Sequence, residues 1–322
     1  MNNSNFQVSW RSVIFHNRTP FQVKAKALLP EFSSSSFSGI KKKVPEQLIK
    51  PCHTFTWGLK SLGEVVFEVE LETTINPKKF PVTLIMSKDY KEYHVVITKE
   101  EAVYWDFQNR LSPNEKNGLK RIHVGCGPKN IFPDWWNVDI RSFKGVDTVM
   151  DVTKEWPFQD IEFVYGEHFL EHLPLDGAVN FLVSSGNSLK QDGIIRLTTP
   201  NLEWVVRNQY PTDDNSYEAK IDGTFTINRA FHGWGHQFLY SQEFLHNLLE
   251  QLGYEKIKFF DYGISDTPDL SYLECHGKFR EKDGIANLIV VEASRGLKEI
   301  SLSKTLENEL NKSFLVYFKG GH

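Results

Sequence analysis

The chain has 322 residues, 40% of them apolar and 24% charged, with a formal net charge of -4 and a pI near 6.3. This length suits two domains and this composition supplies sizeable cores, which excludes a disordered chain, while the slight acidity argues against a broad basic face for nucleic acid or an anionic membrane. Three scattered cysteines, Cys52, Cys126 and Cys275, make no disulfide framework, and no leader pattern or 18-residue apolar run appears, so the expectation is a soluble, cytoplasmic protein without membrane insertion.

From Phe6 to about Phe107 the chain offers short alternating or β-branched runs, Gln7 to Phe15, Phe21 to Leu29, Val65 to Thr73, Pro81 to Met86 and Glu92 to Thr98. Pro, Gly, Asn or Ser punctuates each run and no long helical period follows, so an antiparallel β-rich accessory domain, a sandwich or small barrel, is predicted over residues 1–110. Phe32 to Lys43, with its serines and lysines, reads as a solvated loop. The polar stretch Ser112 to Gly118 marks a boundary.

Beyond it the pattern changes to strands alternating with helices. Strands are predicted at Lys120 to Val124, Trp135 to Ile140, Val146 to Asp151, Ile161 to Tyr165, Ile194 to Thr199, Lys256 to Phe260 and Asn287 to Glu292. Helices are predicted at Leu175 to Leu189, Leu202 to Gln209 and Phe244 to Leu252. The fold class is α/β over residues 111–296, a Rossmann-like, doubly wound, mostly parallel sheet. Asp213 to His236 shows little periodicity and reads as a substrate-covering loop at the carboxyl ends of the strands. Residues 297–322 form a tail with a helix at Lys304 to Lys312 and an apolar strand at Phe314 to Phe318.

Two segments carry the first chemical signal. Ile122-His-Val-Gly-Cys-Gly-Pro128 ends an apolar strand in two glycines, as a close backbone approach to a cofactor requires. Asp139 ends the next strand twelve positions after Gly127, where a carboxylate can accept hydrogen bonds from ribose hydroxyls. That separation is shorter than the roughly 20 residues of NAD-binding folds, which disfavours a dehydrogenase.

Val124-Gly-Cys-Gly-Pro, Trp136-Asn-Val-Asp-Ile, Met150-Asp-Val, Leu170-Glu-His-Leu, Leu189-Lys-Gln-Asp-Gly-Ile-Ile-Arg-Leu-Thr-Thr-Pro and Gly233-Trp-Gly-His-Gln-Phe-Leu-Tyr follow in order. Between about Leu119 and Ser294 this series resembles the class I S-adenosylmethionine (SAM) dependent methyltransferases of the broad UbiE and methyltransferase type 11 group. The resemblance implies that SAM is the cofactor and that the loop His123 to Gly127 binds it, with Gly125, Cys126 and Gly127 along its methionine part. It implies that Asp139 binds the ribose with Ile140 beside it, that Asp151 and Val152 lie near the adenine, and that Glu167 and His168 border the methyl-transfer centre. His123 departs from the acidic residue that many class I enzymes carry there.

For catalysis, His172 beside Glu171, His236 in His232-Gly-Trp-Gly-His236, and His168 are the candidate bases, because imidazole titrates near neutral pH. Two of them also have a purely structural reading: His172 as a residue that caps or orients the following helix, His236 as a partner of a backbone carbonyl. His168 and His172 have helical ligand spacing with Glu171 between them, yet the order is not His-Glu-x-x-His, and no metal site is expected. The expected activity is transfer of a methyl group to a hydroxyl or amine of a small-molecule or saccharide acceptor. Transfer of another SAM-derived group, and a non-catalytic binding protein, remain open alternatives.

Overall fold

The computed structural model describes residues 11–28, 46–51, 53–59, 63–73, 77–87, 90–210, 214, 216–275 and 280–318. The expected loop Phe32 to Lys43, Cys52, His276, the start of the first predicted strand and the end Lys319 to His322 lie outside the described residues. The chain divides into two compact units, residues 1–110 with 266–275, and residues 111–265 with 276–322.

The first unit contains β1 (Arg11–Asn17), β2 (Val23–Leu28), β3 (Gln47–Ile49), β4 (Thr54–Leu59), β5 (Gly63–Leu71), β6 (Lys78–Met86), β7 (Glu92–Ile97) and β8 (Ala102–Trp105). They form two four-stranded sheets, β4-β1-β7-β8 and β3-β2-β5-β6. One core takes Val13, Phe15, Trp57, Tyr93, Val95 and Ile97 from the first sheet and Val23, Ala25, Val65, Phe67, Val82 and Leu84 from the second. Shared burial between two sheets makes this a sandwich. One expectation is corrected: β1 and β7 pair in parallel, Ile14 opposite His94, so the unit is not wholly antiparallel. Parallel neighbours need a long crossover, and residues far apart in sequence leave no local sign of their pairing.

The second unit is built on β9 (Arg121–Val124), β10 (Trp136–Asp139), β11 (Thr148–Val149), β12 (Ile161–Glu167), β13 (Leu189–Pro200), β14 (Tyr254–Phe260), a small hairpin of β15 (Glu281–Lys282) and β16 (Ile285–Ala286), and β17 (Leu288–Arg295). Its seven-stranded sheet has the order β11-β10-β9-β12-β13-β17-β14. The pairs from β11 through β13 are parallel and β17 is antiparallel to both neighbours. This is the Rossmann order with one antiparallel strand inserted near the far edge, and the winding reverses between β9 and β12. Ligands in such sheets bind at the carboxyl ends of the strands beside that reversal.

The helices are α1 (Leu175–Ser188), α2 (Leu202–Gln209), α3 (Tyr217–His232), α4 (Gln242–Leu252), α5 (Lys304–Leu310) and, after a π turn at Asn311–Leu315, α6 (Val316–Phe318). α4 shows why they form. The Ser241 hydroxyl accepts from the Phe244 amide, and Gly253 closes the helix at φ 104°. Leu245, Leu248, Leu249 and Leu252 make one buried stripe, each contributing roughly 1.5–3 kcal/mol of burial. α1, α4 and α5 share one core with Ile122, Val124, Val164, Ile195, Leu197 and Val291. Against the opposite side chains His123 and Tyr165 lie the rings of Phe132 and Trp135, from the β9–β10 connection. Among the described residues no α-helix joins β9, β10, β11 and β12, so the strand order is doubly wound while the long helices of this core gather on one face. Pro128 and Pro133 limit helix in the first of those connections.

Three further expectations change. Val146 to Asp151 shrinks to the two-residue strand β11. The predicted loop Asp213 to His236 contains the sixteen-residue helix α3, capped by the Ser216 hydroxyl on the Ala219 amide. Only Gly223 and Ala230 of that helix are buried, so the apolar residues it does carry at helical spacing, Tyr217, Ile221 and Phe225, do not mark a core face. The predicted strand Phe314 to Phe318 is helical instead, and the tail before it carries Ile300, Leu306 and Leu310 into the main core of the unit.

Candidate active site

At the end of β9 the backbone turns through Gly125 (φ 58°) and Gly127 (φ 57°), both left-handed. A Cβ at Gly125 would lie 2.4 Å from the Phe169 ring, whereas one at Gly127 would meet nothing within 4 Å. The first glycine therefore allows close packing of two loops, and both allow the turn. Asp139, 5% exposed, ends β10. Its Oδ2 accepts from the Gly127 amide at 3.1 Å and its Oδ1 from the Arg141 amide at 2.9 Å. Arg141 Nε also donates to Oδ1, at 3.5 Å, so of the roughly four acceptor positions of a carboxylate one remains, on Oδ2, for a hydroxyl donor. Asp151 after β11 accepts from the Thr153 hydroxyl (2.7 Å) and amide (3.0 Å), which lowers its pKa.

Gly125, Asp139 and Asp151 border a cavity of about 670 Å³ at the carboxyl ends of β9 to β12, within the size range of small-molecule sites. Of the residues expected to hold a cofactor, Gly125, Asp139, Ile140, Asp151, Val152 and His168 line it. His123, Cys126, Gly127 and Glu167 are not among its wall residues. His123 alternates with Ile122 and Val124 along β9 and stacks on Phe132, ring centroids 4.4 Å apart. Burial, with the Asp139 charge, pushes the Cys126 thiol up to about 12. Glu167 Oε2 accepts from the Asn130 side chain at 3.1 Å. Missed from sequence were Arg141, Met150, Thr153, Phe169, Leu173, Pro174 and Gly177; adjacency to Asp139 and Asp151 was the only available sign for some.

A second cavity of about 570 Å³ adjoins it, lined among others by His168, His172, Trp204, Trp234, His236 and Arg280. His168, His172 and Trp234 belong to both walls. His168 follows β12 in a left-handed conformation (φ 46°), with its amide bonded to Thr198 O at 2.9 Å. Such a backbone in a non-glycine residue is a strained feature typical of functional sites. Its Nδ1 lies 3.1 Å from Glu171 Oε1. Burial alone would lower the His168 pKa, but the Glu171 hydrogen bond and charge, helped by Glu167, outweigh it and raise it.

Glu171 is fully buried, and its Oε2 accepts from the Thr199 hydroxyl at 3.1 Å. Its backbone carbonyl accepts from the Gln237 and Phe238 amides, which brings the Gly233–Gly235 turn and His236 against it. His172 and His236 rings are 5.1 Å apart, and His236 Nδ1 donates to Ala230 O at 2.8 Å. Glu171, His172 and His236 place three metal-capable donor atoms within 4.8 Å of one another. The sequence pairing of His168 with His172 picks a different partner: His168 is engaged with the Glu171 carboxylate. The expectation of no metal site therefore meets a ligand set that sequence spacing does not reveal.

No protein-family model matches the chain, and no curated protein does. Solved structures that it resembles include the CurJ carbon methyltransferase, at 12% identity over 59% of this chain and 51% of that one, TM-score 0.32. Others are human N-acetylserotonin methyltransferase in complex with SAM (13% identity, 55% and 47% covered, TM-score 0.33) and a SAM-dependent methyltransferase from Archaeoglobus fulgidus (17%, 54% and 85%, 0.33). The chain spans about half the length of the first two.

Proposed function

We propose that the second unit is a SAM-dependent methyltransferase acting on a hydroxyl or amine of a small-molecule or saccharide acceptor. The observation that carries this reading is the cavity at the carboxyl ends of β9 to β12, with the left-handed Gly125 and the Asp139 carboxylate in its wall. The residues that line the cavity fit the cofactor: Gly125 beside the methionine part, Asp139 for a ribose hydroxyl, Ile140, Asp151 and Val152 for the adenine. SAM, when bound, supplies a methyl group already activated on a sulfonium. What remains for the chain is to align the acceptor, exclude water and take the acceptor's proton. The second cavity suits the acceptor because His168, His172 and Trp234 line it and the first cavity alike. No described helix is long and apolar enough to cross a membrane.

Titration calorimetry with SAM tests the cofactor assignment. Wild type should bind one equivalent, and Asp139→Ala should bind at least about tenfold more weakly, the loss of roughly 1.4 kcal/mol expected for charge-assisted hydrogen bonds. Equal affinity would remove the assignment. His236→Ala, on the acceptor side, should lower turnover and leave SAM affinity within about twofold, with products read by mass spectrometry of a metabolite extract incubated with SAM. Unchanged turnover would return His236 to a structural role.

A further inference from the structure

We propose that Glu171, His172 and His236 form a binding site for a divalent transition-metal ion. Two imidazoles and a carboxylate are the donor set of catalytic zinc and of non-haem iron and manganese sites, and they discriminate against the all-oxygen preferences of calcium and magnesium. The three donor atoms lie within 4.8 Å of one another. Bonds of about 2.0–2.2 Å need neighbouring ligand atoms roughly 3–3.5 Å apart, so a bound ion must draw the side chains together, His172 Nε2 from its 4.0 Å separation from Glu171 Oε1 among them. The His172 side chain, 37% exposed, has the freedom to move.

The surroundings are those of a prepared site. A carbonyl can only accept, so the bond from His236 Nδ1 to Ala230 O fixes the proton on Nδ1 and leaves the Nε2 lone pair for a ligand. Metal-ligating histidines are oriented in this way by the hydrogen bond of their other nitrogen. The Glu171 carboxylate is held from both sides, Oε2 by the Thr199 hydroxyl and Oε1 by His168, the arrangement that orients a ligating carboxylate. Backbone bonds from Gln237 and Phe238 to Glu171 O, and from Gln237 Nε2 to His172 O, keep the two histidine segments together. Among the described residues three protein ligands converge, and His172 and His236 both line the second cavity, so a metal held there would keep coordination positions for a ligand entering from that space. An acceptor presenting two neighbouring oxygens, such as a vicinal diol, has the chemistry to fill them. A coordinated hydroxyl is acidified, its proton passing to solvent; this acceptor role rests on the methyl-transfer reading, while the metal site does not.

The experiment is a cobalt(II) titration of the chelator-treated full chain, followed by visible absorption, with zinc(II) competition. One equivalent should give ligand-field bands that zinc abolishes. His172→Ala and His236→Ala should each weaken cobalt binding at least about tenfold, and Glu171→Gln should do the same. Because Glu171 is buried, its variant is interpreted only beside a wild-type circular dichroism spectrum, and the two partly exposed histidines carry the test if it misfolds. Asp139→Ala should keep wild-type cobalt affinity, so a failure of SAM binding and a failure of the metal site are read separately. Absence of stoichiometric bands in wild type, or wild-type affinity in the His172→Ala/His236→Ala double variant, would overturn the proposal.

Discussion

At Gly125 a single methyl group separates two consequences, because the left-handed backbone strains any L side chain and the Phe169 ring stands 2.4 Å from where a Cβ would be. Gly125→Ala should therefore incur about 1–2 kcal/mol of backbone strain and about 1–3 kcal/mol of overpacking. Gly127→Ala meets open space and should incur only the backbone part. Thermal unfolding without ligand should rank them in that order; equal melting temperatures would mean that Phe169 yields freely. Between these glycines, Cys126 is 1% exposed with its thiol pushed up to about 12, so iodoacetamide at pH 8 should label the exposed Cys275 well before Cys126. Rapid Cys126 labelling would show that the loop opens. The glycines and Asp139 are legible in sequence because their work is local: a turn, and a carboxylate ending the next strand. His236 is not legible in the same way, since its juxtaposition with Glu171 depends on backbone bonds from Gln237 and Phe238 that close only when the chain has folded.

Among elements, β13 and β17 form the seam where the sheet changes from parallel to antiparallel, with Arg196 opposite Glu292 in the register. Their side chains form an ion pair, Arg196 fully buried and Glu292 nearly so. Removing one partner of such a pair strands a charge in the core, so Glu292→Ala should cost the second unit about 3–5 kcal/mol. The double variant Arg196→Met/Glu292→Leu should lose much less, since an apolar pair removes both desolvation penalties. Urea unfolding distinguishes these outcomes, and a Glu292→Ala midpoint equal to wild type would sink the argument. Both strands of the seam were readable as apolar runs, but their antiparallel pairing was not, because β14 intervenes in sequence and the contact is long-range. α3 escaped for a different reason. Tyr217, Ile221 and Phe225, four residues apart, are 76%, 41% and 65% exposed, so its apolar residues turn outward rather than marking a core face.

For the whole molecule, two units with separate cores need not unfold together, and a buried histidine in the first unit makes its stability depend on pH. The parallel pairing of β1 with β7 brings His16 Nε2 to 3.1 Å from His94 Nδ1, the rings stacked with centroids 5.4 Å apart. One nitrogen must donate and the other accept, which a neutral imidazole pair can do. Burial above all, then the charges of His94 and Arg18, holds the His16 pKa well below 6.5. In the unfolded chain His16 takes up its proton near pH 6.5. The unfolded state therefore binds more protons as pH falls below that value, and stability present above pH 6.5 is lost on acidification toward the folded pKa. The slope approaches about 1.4 kcal/mol per pH unit for one proton. Calorimetry between pH 7.5 and 5.5, above the range where most carboxylates titrate, should show the transition of the first unit moving to lower temperature more steeply than that of the second. His16→Gln, which keeps a donor toward His94 but cannot take up a proton, should flatten that dependence. If the variant retained the wild-type slope, the acid sensitivity would have to come from another group.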